Sequence, residues 1–186
     1  MENDDSMPEP ASADVPGRFV NPLEPVDPPS IGQEREALAG WLDYYRGELL
    51  AKLDGLTDEE AARRVVPSLN TLRGLVRHLS KVEFIWFATV IEGAEEPVPF
   101  GWPERKDGDF LLDDGSTLAE DVERYLAACE RSRRIFAKVS LDELRTQRRV
   151  GEVDVRWIMI HVIREYAQHT GHADIIRELI DGRTQG

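Results

Sequence analysis

Residues 154–182 read DVRWIMIHVIREYAQHTGHADIIRELIDG. Within them Trp157, His161, Glu165, His169, His172, Ile176 and Leu179 recur at steps of three and four, which lines them up on one face of an α-helix. Asp154 has the chemistry of an N-cap and Gly182 that of a left-handed terminator, so the pattern predicts one long helix between them. The two ends of the line are apolar and its middle is not. Read as the core-facing stripe, it puts three imidazoles and a carboxylate where a bundle keeps its apolar packing. A carboxylate buried there must be protonated, ion-paired or bound to a metal. The middle of this helix is therefore a candidate site.

The rest of the chain supplies partners of the same kind. Leu38, Trp41, Leu42, Tyr45 and Leu49 predict a first helix over 33–53, stopping before Gly55. Thr57 and Glu60 form a capping box for a short helix. A second long helix starts near Thr71 and runs to Gly93, with Leu75, His78, Leu79, Val82, Ile85, Trp86 and Thr89 on its stripe. Residues 94–115 read as a long connection, a length at which loops tend to carry function. Thr117 and Glu120 repeat the capping signal ahead of a third helix with Leu118, Val122, Tyr125, Cys129, Ser132 and Phe136 on one face. Ser140 opens another short turn, and the polar stretch 145–153 suits a loop or a small extended excursion. The fold expected over 32–182 is all-α, a four-helix bundle with long connections and short extra helical turns. It is flanked by an arm, 1–31, and a tail, 183–186.

The arm holds seven of the eleven prolines and seven acids against Arg18 alone, so most of it has little with which to offset its ordering entropy. Phe19, Val20, Leu23 and Val26 are the part able to lie extended across the domain or a neighbouring subunit. A net charge of −13 speaks against nucleic acid and against anionic membrane surfaces, both of which call for a Lys/Arg face. No apolar run reaches the length of a membrane span. One cysteine permits no internal disulfide, and the expected compartment is the reducing cytoplasm. Cys129, on an apolar line, reads as a packed thiol.

Spacing limits which groups can share one ion. His161 and His169 lie about 12 Å apart along a helix, whereas metal–ligand bonds are about 2.0–2.2 Å. Glu165 with His169, or His169 with His172, can chelate, and a further element must complete the set. His78 is the only other histidine. His78, Glu165 and His169 together make an open N/O site of catalytic type, without thiolates, suited to zinc, nickel, iron or manganese. Each residue also has a plainer reading. His161 suits a core histidine, a cavity wall or a group holding a ligand in place, His172 can orient His169, and Glu165 can pair with Arg164 or Arg77. As catalytic groups, His172 and His161 are candidates for proton transfer.

LVRHLSKVE at 75–83, followed by Trp86-Phe87, resembles the second helix of the DinB-like metalloprotein superfamily. Arg156-Trp157-Ile158 and the run EYAQHTGHAD at 165–174 resemble its last helix. The likeness is strongest to the branch of mycothiol-dependent maleylpyruvate isomerase and the mycothiol S-transferases. The resemblance implies His78, Glu165 and His169 as metal ligands and a divalent ion, zinc foremost, with Ni2+, Fe2+ or Mn2+ as alternatives. It also implies mycothiol as cosubstrate, a small electrophile as the other partner, and a homodimer. The isomerase carries a further domain beyond the last helix, so the activity expected here is that of a single-domain thiol S-transferase. A metal-dependent hydrolase on the same scaffold and a non-catalytic helical stress or interaction protein are the alternatives.

Overall fold

A computed structural model describes residues 17–184; the earlier part of the arm, with Pro8, Pro10 and Pro16, and the last two residues of the tail lie outside them. Four long helices form the bundle: α1 (Glu34–Ala51), α3 (Leu72–Glu83) with its continuation Phe84–Glu92, α4 (Leu118–Phe136) and α5 (Val155–Asp181). Helix α2 (Asp58–Ala62) is the predicted short turn. The anticipated caps are present. Thr57, Thr71, Thr117 and Asp154 each accept a backbone N–H of their helix's first turn, and Glu60 and Glu120 reach back to close two boxes. Gly93 and Gly182 end their helices at φ 77° and 76°, where a side chain would be strained.

Helix α5 packs on α1 and α3, and α4 packs on α3 and its continuation. Enclosed by neighbours, α3 is buried on nearly every side, and His78 is its least buried residue. After Glu83 the spiral widens into a π-helix over Phe84–Glu92. No Gly or Pro in that apolar run signals the change, and the sequence reading had one regular helix. The excursion at 145–153 is an antiparallel hairpin, β1 (Leu144–Gln147) paired with β2 (Gly151–Asp154), which leads directly into α5.

Two stripes differ from expectation. On α1 it is Leu42, Arg46, Leu49 and Leu50 that are buried, while Trp41 turns outward and packs with Tyr44 and Tyr45. On α5 the core line is Val155, Ile158, Met159, Val162, Tyr166, Thr170, Ala173 and Ile176. The histidine line runs beside it, with exposed Trp157 and Leu179 at its ends, so only Ile176 belongs to both. Fully burying the carboxylate and imidazoles would cost several kcal/mol each unless paired, and this flanking position reduces that cost.

Inside the bundle one charge pair joins α1 to α3. Arg46 donates from Nε and Nη2 to the two oxygens of Glu83, at 2.8 and 2.9 Å, and both residues are buried. Tyr166 on α5 donates to Glu83 at 2.8 Å, and Cys129 on α4 lies 3.9 Å from it. Burial and the Glu83 carboxylate push the Cys129 thiol up to about 12, which makes it the inert packed thiol expected. The described part of the arm lies on its own bundle. Phe19 exchanges backbone hydrogen bonds with Gly55 and Leu56, while Val20 and Val26 face solvent.

Candidate metal centre

His78 reaches the site from α3, and Glu165 and His169 reach it from α5. One ligand atom from each lies within 4.8 Å of the other two. The i, i+4 step brings Glu165 Oε2 and His169 Nε2 to 3.6 Å, and the packing of α3 on α5 sets the His78 and His169 rings 4.5 Å apart, edge to face. All three are partly buried. These are the residues that spacing singled out, brought together from two distant stretches of chain.

The protonation of His78 follows from its surroundings. Its Nδ1 lies 2.7 Å from Asp109 Oδ2, and the same oxygen accepts from the buried Lys81 ammonium. Burial works against the Asp109 charge, but the bonds from His78 and Lys81 hold its carboxyl below the usual range. An ionised carboxylate only accepts, so Nδ1 must carry the proton. Burial meanwhile keeps the His78 ring below its ordinary pKa despite Asp109, so the neutral form prevails at pH 7. That leaves a bare lone pair on Nε2, a buried atom with no protein partner. A ring backed by a carboxylate, with its other nitrogen free and facing a second imidazole and a carboxylate, fits a divalent ion.

Glu165 is held down at about 2 by the neighbouring His169 ring, against its partial burial, with Arg164 and His161 adding to the effect. It pairs with Arg164; Arg77 instead grips Asp114 at 3.0 Å and lies over the Phe100 ring. His172 stands behind His169, their Nδ1 atoms 3.4 Å apart. His161 sits with Nε2 3.6 Å from the other Glu165 oxygen, stacked on Trp157 at 5.0 Å and edge-on to Trp86 at 4.5 Å. Neither belongs to the three-atom cluster, in line with the two-turn separation of His161 from His169.

Asp109, Lys81 and Phe110, which stacks on His78 at 5.3 Å, were not legible as site residues. Their one signal was the length of the 94–115 connection. Gly108 lets that connection fold tightly on itself, and Gly74 lets it close down on α3. A Cβ on Gly108 would stand 2.0 Å from the Phe100 carbonyl oxygen, and one on Gly74 would stand 2.8 Å from the Phe110 ring. Arg77 and Arg73 then clamp the loop through Asp114 and Ser116.

The family described as Mycothiol-S-transferase matches residues 37–182, from the first turn of α1 to just past the end of α5. The chain belongs to the mycothiol S-transferase family. Both segments of the candidate centre fall inside the span matched by that family, as the likeness of the second and last helices implied. A crystal structure titled as the conserved protein of a locus from Enterococcus faecalis shares the fold, with a TM-score of 0.66 over 82% of this chain and 100% of its own. At 12% identity it speaks for the architecture alone. No curated protein matches the chain. Among the described residues no helix is long and apolar enough to cross a membrane.

Proposed function

We propose that His78, Glu165 and His169 hold a divalent ion, zinc foremost, and that the protein joins a low-molecular-weight thiol, mycothiol, to a small electrophile. The observation that carries this reading is the free Nε2 of His78, set by Asp109 to face an ionised carboxylate and a second imidazole. A bound cation would favour the thiolate over the thiol, supplying the nucleophile at neutral pH. Glu165 contributes the negative charge of the site. His161, wedged between two tryptophans beside Glu165, would take the thiol proton, and His172 would steady His169. With a halogenated electrophile, the thiolate sulfur forms a bond to the electrophilic carbon as the carbon–halogen bond breaks. The halide leaves with the bonding pair, and the proton passes from His161 to solvent. A lone buried cysteine accords with a reducing cytoplasm as the setting.

The test is to incubate zinc-loaded protein with 1-chloro-2,4-dinitrobenzene, with and without mycothiol. Thioether formation that requires both protein and thiol is expected. Product formed at the same rate without thiol would overturn the transferase reading in favour of metal-assisted hydrolysis, and no product with either would remove it. A second expectation concerns Asp109. Asp109→Asn should weaken zinc binding about 10–100-fold, the cost of losing a group that orients a ligand, with helical circular dichroism unchanged. Unaltered affinity in competition with a chromophoric chelator would show that Asp109 does not set the His78 ring.

A further inference from the structure

A groove of about 460 Å³ lies where the π-helical segment, the Trp102–Pro103 part of the connection and the hairpin meet. Its size is that of a small-molecule site. Ile85 and Val90 form one wall, and Trp102 and Pro103 face them. It is built on the continuation of the helix that carries His78 and on the connection that carries Asp109. Ile85 is seven residues beyond His78, roughly 10 Å further along the axis at α-helical rise. Trp86, the residue after Ile85, packs against His161, which stands beside Glu165. The hairpin that forms the far side runs straight into the first turn of α5, and Arg145 ties it to the Ile91 carbonyl at 3.0 Å.

One polar feature sets this groove apart from a plain apolar cleft. Arg148 and Arg149 line it. Nearby Arg145 pairs with Glu143, and Arg156 with Glu34 and Asp142. The guanidinium groups of Arg148 and Arg149, by contrast, have no carboxylate partner among the described residues, in a chain whose acids exceed its bases by thirteen. Apolar walls and two adjacent cations complement an organic anion with a flat or extended apolar body.

We propose that this groove binds the electrophilic substrate, and that the substrate is an amphipathic carboxylate or sulfonate. Its role as a substrate site rests on the thiol-transfer reading; its binding of the anion does not. The apolar body lies between Ile85 and Trp102, and the anionic group meets Arg148 and Arg149. The arginine pair can offer an anionic group charge-assisted hydrogen bonds that the hydroxyls of a polyol thiol cannot match, which favours the other reactant as the occupant.

The probes are 2-naphthoate and its uncharged analogue 2-naphthamide, titrated calorimetrically into the full chain. Naphthoate should bind about tenfold more tightly than the amide. The preference should vanish in Arg148→Ala/Arg149→Ala, and Thr146→Trp, entering the groove from the exposed face of β1, should weaken both ligands about tenfold. His169→Ala should leave naphthoate affinity unchanged. Equal affinities in the parent, a preference that survives loss of both arginines, or naphthoate binding abolished by His169→Ala would each overturn the proposal. Naphthoate binding without thiol transfer keeps the groove and removes the transferase reading; transfer without naphthoate binding does the reverse.

Discussion

His169→Ala protein, loaded with zinc and desalted beside the parent, will retain no stoichiometric metal, while its helical circular dichroism matches the parent's. The reason is geometric. His169 supplies one of three ligand atoms that lie within 4.8 Å of one another, and no other imidazole in the structure shares that position. His172 is held behind His169 rather than beside it, and His161 reaches the opposite oxygen of Glu165. Losing a ligand must cost more than the 10–100-fold attached to a group that merely orients one. The fold should tolerate the change because His169 flanks the core line of α5, in which Tyr166, Thr170 and Ala173 are buried. Equal metal content in variant and parent, measured by elemental analysis, would defeat the ligand assignment.

The largest effect on stability is expected at a residue remote from that cluster's chemistry. Glu83→Ala removes the carboxylate that receives two hydrogen bonds from Arg46 and one from Tyr166. Arg46 is then left buried with only Asp43 to answer its charge, through a single 2.7 Å contact. Breaking a buried pair on one side costs about 3–5 kcal/mol, since the surviving charge cannot regain its hydration. For a chain of this size that lowers the melting temperature by about 6–20 °C. Glu83→Leu combined with Arg46→Met should recover most of the loss, because it is the orphaned charge and not the missing attraction that destabilises. Unfolding in urea reads both. A Glu83→Ala midpoint equal to the parent's would mean that the pair is better solvated than its burial indicates.

Local chemistry made much of this protein readable. Thr57 with Glu60, Thr117 with Glu120, Asp154 and Gly182 mark helix ends because caps are matters of three or four adjacent residues. Glu165 and His169 declare themselves by one turn of spacing, and His78 by being the only imidazole elsewhere in the chain. What stayed hidden depends on pairing across long separations. Arg46 and Glu83 lie 37 residues apart, and nothing in either neighbourhood shows that each draws the other inward. That pairing is also what rotates Arg46 into the core of α1 and leaves Trp41 outside. The offset of the α5 stripe escaped notice for a related reason. Its histidine line and its true core line are adjacent, and periodicity alone does not say which one packs. Asp109 was invisible because a loop aspartate has no periodicity, and only the folding of the connection onto α3 brings it to His78.

Because the group that backs His78 arrives on the 94–115 connection, grip on the ion is adjustable by changes in a loop. Such changes leave the packed surfaces of the four long helices alone. Trp102 and Pro103 belong to that same loop, so one exchangeable strip of chain governs both how firmly the cation is retained and what shape of reactant is admitted. A scaffold organised in this way can diversify its chemistry at little risk to its own folding, with Glu83 and Arg46 holding the frame while the strip varies.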